Sequence, residues 1–316
     1  MTTVTSDDAA LVTRDLTRRF GTLAAVDGLN LSVRHGELFG LLGPDGAGKT
    51  TTLRMLAGVL RPTAGDAFLG GVSVVRDPER VKHGLAYMSQ RFGLYADLTV
   101  LENIDFYADL YRVPRAERPA RYEKLFRFSS LGPFKDRLAG KLSGGMKQKL
   151  GLSCALVHEP EILLLDEPTF GVDPVSRREL WLIVHEMVGR GVTAIVSTAY
   201  MDEAERFDRV ALIHEGRLLA LDTPESLQRG IAGAILDVHT GERVREARRA
   251  ALAVPGVRTA ATFGDRLHLA VDDAERDSAA VEAALRAAGM PAPEIRAMAA
   301  SMEDVFIDQI ARARAA

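Results

Sequence analysis

Eight residues constrain this chain more than any other feature. Gly43-Pro44-Asp45-Gly46-Ala47-Gly48-Lys49-Thr50 fits G-x-x-x-x-G-K-[ST], and it sits between an apolar run at 38–42, read as a strand, and an amphipathic stretch at 49–57, read as a helix. Glycines let a backbone wrap closely around a phosphate, so that successive N–H groups and the positive end of the following helix point at anionic oxygens. Lys49 is then placed to reach the β- and γ-phosphates, the Thr50 hydroxyl to ligate Mg²⁺, and Thr51 to continue the contact surface. An ordinary Gly-rich turn would explain the glycines but not a Lys-Thr pair at this offset.

A second motif supplies what such a cradle needs. Ile162-Leu163-Leu164-Leu165-Asp166-Glu167-Pro168 reads as a buried strand ending in two adjacent carboxylates. Alternation along a strand points them in different directions, so one can hold Mg²⁺ through water while the other faces the γ-phosphate. Asp166 is assigned to the metal, and Glu167 to the general base or water-positioning role. Both lie at the carboxyl end of a strand of parallel type, where open α/β sheets bind ligands.

Over residues 11–222 short β-branched or Leu-rich runs alternate with longer amphipathic stretches, which predicts an α/β domain. Strands are expected at 37–42, 162–166, 192–197, 209–214 and 217–222. The stretch 97–157 changes to helices at 100–111 and 115–129 and reads as a helical insert. After residue 230 the composition shifts to Ala and Arg. The pattern there predicts a strand at 235–238, a helix at 242–253, and a hairpin of 257–263 with 266–271 turned by Gly264-Asp265. A helix at 274–288, a short strand near Ile295 and a helix at 302–313 follow. The expected organisation is a disordered tail at 1–10, a main domain at 11–230 and a small α+β domain at 231–316, since 316 residues exceed one core.

Composition excludes several roles. Lys+Arg 40 against Asp+Glu 43 gives a net charge of −3, which argues against a cationic field for nucleic acid. No run approaches the roughly eighteen apolar residues that span a bilayer. Residues 1–8 lack the basic start and apolar stretch of a signal peptide, so a cytoplasmic chain is expected. The single cysteine, Cys154, excludes an internal disulfide framework, and the seven histidines show no metal-ligand spacing.

Leu142-Ser143-Gly144-Gly145-Met146-Lys147-Gln148, a short helix before the acidic strand, resembles the LSGGQ signature of ATP-binding cassette (ABC) ATPases, with Met146 where Gln is usual. The resemblance covers about residues 11–230. It implies a P-loop NTPase fold, with a RecA-like core, an antiparallel β subdomain and a helical insert, and it implies ATP and Mg²⁺ as ligands. In this family the Ser143, Gly144 and Gly145 positions contact the γ-phosphate held by the opposite subunit, so a second ABC ATPase domain is implied, in a homo- or heterodimer. Phe20 matches the aromatic that stacks on adenine. Gln90, within residues 88–92, matches the glutamine that touches Mg²⁺. Asp173, in Gly171-Val172-Asp173-Pro174, matches the loop at the dimer seam. Residues 92–103 look like the segment that receives the coupling helix of a membrane permease in bacterial exporters of the daunorubicin-resistance and ABC-2 type, and residues 301–306 resemble the tail of those ATPases. An ABC-2 type permease partner and a peripheral position on the inner face of the cell membrane are therefore implied.

One position departs from the family. Where it carries a switch histidine, this chain reads Ser197-Thr198-Ala199-Tyr200-Met201-Asp202-Glu203-Ala204. A methyl group cannot donate to the γ-phosphate, and losing one preorganised contact costs about 3 to 4 kcal/mol, a hundred- to a thousand-fold in rate. The site on this chain's own cradle is therefore expected to bind ATP and hydrolyse it slowly. Ala199 is either an introduced substitution or native degeneracy; Asp45 and residues 131–142 resemble the first cassette of tandem ABC-2 exporter ATPases, in which this histidine can be replaced, and favour the latter. Two other functions stay open on sequence: a soluble ABC protein acting on the ribosome or nucleic acid, and a regulatory ATP sensor without transport.

Overall fold

The computed structural model describes residues 9–90, 93–290 and 293–315. They form two compact units, one of residues 9–200 with 206–218 and the other of 201–205 with 219–315.

The first unit opens with β1 (Ala9–Phe20), β2 (Leu23–Leu29) and β3 (Ser32–Arg34), followed by β4 (Leu38–Leu42), the cradle and α1 (Lys49–Leu56). Then come β5 (Ala64–Leu69), β6 (Val72–Ser73), α2 (Pro78–His83) and β7 (Leu85–Met88). Three helices follow, α3 (Val100–Leu110), α4 (Arg118–Ser129) and α5 (Gly144–Leu156). The chain returns to the sheet through β8 (Ile162–Asp166), α6 (Pro174–Gly189), β9 (Thr193–Thr198), β10 (Arg209–His214) and β11 (Arg217–Asp222), the last running on into the second unit.

Two sheets result. The antiparallel one has the order β2-β1-β5-β6, with β3 also on β1. The other has the order β11-β10-β4-β9-β8-β7, and its pairs from β10 to β7 are all parallel. Every residue of β4, β8 and β9 is buried, as expected for strands covered on both faces. The register pairs Leu42 with Thr198, Asp166 with Ser197, and Met88 with Leu165, so the carboxyl ends share one edge of the sheet. The chain leaving that edge carries the cradle, Glu167, Ala199 and Gln90.

The tail expected at 1–10 is corrected at its end. Ala9 and Ala10 are buried residues of β1, paired through Ala9 to Arg34 of β3; residues 1–8 lie outside the described residues. Arg91 and Phe92, within two of the motifs read from sequence, lie outside them too.

The second unit holds α7 (Pro224–Arg229), β12 (Ala234–His239), α8 (Val244–Leu252), β13 (Val257–Phe263), β14 (Arg266–Val271), α9 (Ala274–Ala287), β15 (Glu294–Met298) and α10 (Met302–Ala315). Its sheet runs β13-β14-β12-β15, antiparallel throughout. Leu236, Val238, Leu267 and Leu269 pack with Ala247, Val281 and Leu285 of α8 and α9 into a core of its own. The boundary expected at 230/231 lies earlier, because α7 packs on α10 and belongs to this unit.

Candidate nucleotide-binding site

Two glycines of the cradle are dictated by their surroundings. A Cβ on Gly43 would lie 2.2 Å from the Ile213 carbonyl oxygen, and one on Gly48, whose φ is +105°, would lie 2.4 Å from that of Ala25. Ala47 N–H donates to the Pro44 carbonyl and closes the turn. Lys49 begins α1 and is 4% exposed. Its ammonium donates to the carbonyls of Gly43 at 2.8 Å and Pro44 at 3.1 Å and pairs with Glu167 at 3.1 Å.

The two acids do diverge. Asp166, at the end of β8, accepts from the Thr50 hydroxyl at 3.0 Å and the Ser197 hydroxyl at 2.7 Å on Oδ1, and from Tyr87 at 3.3 Å on Oδ2. Glu167 leaves the strand at φ +49°, and its carboxylate meets Lys49 and the Gln90 amide, the latter at 3.2 Å. Gln90 thus sits beside the base in this structure.

A cleft of about 510 Å³ opens over Lys49, Thr50, Gln90 and Glu167 and is lined also by Phe20, Leu23, Ala25, Asp45, Gly46, Gly48, Thr51 and Phe170; Asp166, 1% exposed, does not itself line it and reaches it through the Thr50 hydroxyl. Phe20 ends β1 and is 47% exposed, with the Arg18 guanidinium 4.6 Å from its ring centroid. Leu23 and Phe170 add apolar surface that the sequence reading missed. Tyr87 and Ser197 were missed as well, and only the strand register brings their hydroxyls to Asp166.

Ser143, Gly144, Gly145 and Asp173 gather elsewhere. Ser143 caps α5, accepting from the Met146 N–H at 3.2 Å. Asp173 caps α6, accepting from Val175 and Ser176 N–H groups; hydrogen bonds from Ser176 hold its carboxyl below the usual range. A Cβ on Gly145 would lie 2.1 Å from Ser176 Oγ, so α5 and α6 meet closely there. None of these four lines the cleft. Ala199 directly follows β9, is half-buried and does not line it either.

The cleft fits a triphosphate with a divalent cation. Gly48 offers α1 no side-chain cap, which leaves first-turn N–H groups to an anion. The Lys49 ammonium is buried beside them. The Thr50 hydroxyl and Asp166 carboxylate are hard oxygen donors of the kind Mg²⁺ takes.

Comparison with known proteins agrees with this geometry. A family model described as ABC transporter matches residues 26–170. A protein of Escherichia coli (strain K12) described as probable multidrug ABC transporter ATP-binding protein YbhF is 45% identical over 305 residues, 96% of this chain and 52% of that protein. The chain thus spans about half the length of that relative. Daunorubicin resistance ATP-binding protein DrrA2 of Streptomyces coeruleorubidus is 33% identical over 305 residues, 95% of each chain. A solved structure of an ATP-binding subunit of an ABC transporter superposes with a TM-score of 0.64 at 30% identity, covering 70% of this chain and 92% of that one. With the daunorubicin resistance protein matched over 95% of both chains and a cleft suited to nucleotide at the shared sheet edge, the chain belongs to the ATP-binding proteins of the ABC transporter family.

Proposed function

We propose that this chain is the ATP-binding and ATP-hydrolysing subunit of an exporter, closing head-to-tail on a second cassette to drive a separate ABC-2 type permease. Lys49 and the first-turn amides of α1 hold the phosphates, Phe20 stacks on the base, and Thr50, Asp166 and Gln90 hold Mg²⁺. When bound, Mg²⁺ neutralises charge on the β- and γ-phosphate oxygens. Glu167 accepts the proton of the attacking water. Before nucleotide arrives its carboxylate is paired with Lys49; a γ-phosphate takes over the lysine and releases the base.

The observation that carries dimerisation is a contrast between neighbouring glycines. Gly145 is required by Ser176 of its own chain, whereas a Cβ on Gly144 would meet nothing within 4 Å. A glycine with no intrachain need, at the start of α5 beside the Ser143 cap, suits close approach by the phosphate of an opposing cassette. Ala199, without a donor, slows hydrolysis at this chain's own cradle.

An exposed aromatic pair supports the permease contact. Tyr95 and Phe106, 47% and 38% exposed, stand edge to face with ring centroids 4.6 Å apart. Buried Asn103 holds the loop beneath them, accepting from the Tyr95 N–H and donating to the Tyr95 and Thr99 carbonyls. Such a fixed aromatic patch suits a helix of a membrane partner lying on the inner face, and the second unit serves as an accessory α+β module. Among the described residues no helix is long and apolar enough to cross a membrane.

Gly144→Ala tests the reading. It should leave the melting temperature and ATP binding unchanged while abolishing the rise of turnover per chain with protein concentration. Turnover independent of concentration, and unmoved by Gly144→Ala, would overturn it.

A further inference from the structure

An ionised carboxylate offers about four lone-pair positions. Asp166 has three filled by hydroxyl donors from three elements: Thr50 of α1 and Ser197 of β9 on Oδ1, and Tyr87 of β7 on Oδ2. One position remains, on Oδ2. Ser197 is fully buried and does a second thing. Its Oγ accepts from the Glu167 N–H at 3.0 Å, and its carbonyl accepts from the same N–H at 3.1 Å. Those bonds hold Glu167 in a left-handed conformation that a non-glycine residue rarely adopts.

We propose that Ser197 and Tyr87 are positioning residues for the catalytic cation: they lock the Asp166 carboxylate and leave it one lone pair with which it would hold Mg²⁺, and Ser197 ties that carboxylate to the backbone of Glu167. The inference rests on the reading of this cleft as an ATP·Mg²⁺ site. Thr50 alone is a poor lock, because its oxygen must also serve the cation; Ser197 is fully buried and Tyr87 half-buried, and neither lines the cleft. A tyrosine phenol is protonated, and so a donor, across the neutral range. Partners that orient a metal-binding group in this way are typically worth about 10- to 100-fold in metal affinity.

The test separates the cation from the nucleotide. Mn²⁺, the probe, is titrated into the 316-residue chain saturated with a non-hydrolysable ATP analogue and followed by its electron paramagnetic resonance signal; metal-free nucleotide binding is measured in parallel with a fluorescent ATP derivative. Ser197→Ala should weaken Mn²⁺ about 10- to 100-fold, and Tyr87→Phe, which loses a longer bond, by about 10-fold or less, both with metal-free nucleotide affinity unchanged. Mn²⁺ affinity within two-fold of wild type in both folded variants overturns the clamp and leaves the nucleotide site standing. A wild-type chain that binds no nucleotide overturns both.

Discussion

Replacing Glu167 by Gln should destabilise the protein only while nucleotide is absent. Lys49 and Glu167 lie 3.1 Å apart with side chains 3% and 9% exposed. At an effective dielectric constant near 20 their attraction is about 5 kcal/mol, opposed by several kcal/mol for desolvating two ions. Removing one member of a buried pair typically costs about 3 to 5 kcal/mol. Here the cost is smaller, because Lys49 keeps the Gly43 and Pro44 carbonyls and Gln keeps the shape of Glu. We expect about 2 kcal/mol, or about 3 °C in melting temperature for a chain of this size. With ATP·Mg²⁺ the γ-phosphate supplies the missing countercharge, so the deficit should vanish. Turnover should fall by about 10²- to 10⁴-fold, the usual contribution of a general base. Thermal melts with and without ATP·Mg²⁺, alongside phosphate release, measure all three. A deficit of equal size in both states would refute the handover of Lys49, and undiminished turnover would refute Glu167 as the base.

Ala199→His should raise turnover about a hundred- to a thousand-fold in a dimer shown to form, by restoring one transition-state contact; an unchanged rate refutes Ala199 as the missing switch. Phe20→Ala should weaken ATP by about 1 to 3 kcal/mol, read by isothermal titration calorimetry, with the melting temperature of the free chain unmoved. Burial lowers the pKa of His158, stacked on Tyr111 at 3.8 Å, to about 4. Its stabilising contribution is therefore complete above the unfolded value near 6.5 and is lost as pH falls towards 4, by at most about 3 kcal/mol. Urea midpoints between pH 7 and 4 should show that loss flattened in His158→Gln, and parallel curves would count against it.

The cradle with β4, the acidic strand β8 and its neighbour β9 were legible because each is local, whereas β7 was not read from the sequence. Their chemistry lies within a few consecutive residues, and their strands are short, wholly buried runs. The antiparallel sheet was not legible strand by strand. In β1 the register shifts twice against β2 and again against β3 and β5, and Asp15 has φ +47°, so inward and outward residues never alternate long enough to show a period of two. The Asp166 clamp was invisible for a different reason. Tyr87, Ser197 and Thr50 are far apart in the chain, and only the pairing of β7, β8 and β9 and the packing of α1 bring their hydroxyls to one carboxylate. The helix at 224–229 followed the cassette in sequence, and only its packing on α10 assigned it to the second unit.

In the proposed dimer, ATP bound on this chain's cradle is completed by the Ser143-Gly144-Gly145 surface of a second copy of the chain. Sedimentation equilibrium on the Glu167→Gln chain tests it most directly, since bound ATP then persists. The chain should be a dimer with ATP·Mg²⁺, a monomer with ADP·Mg²⁺, and a monomer with either when Gly144→Ala is added. A monomer at concentrations where ATP saturates the cradle, or a dimer indifferent to the nucleotide, would contradict it.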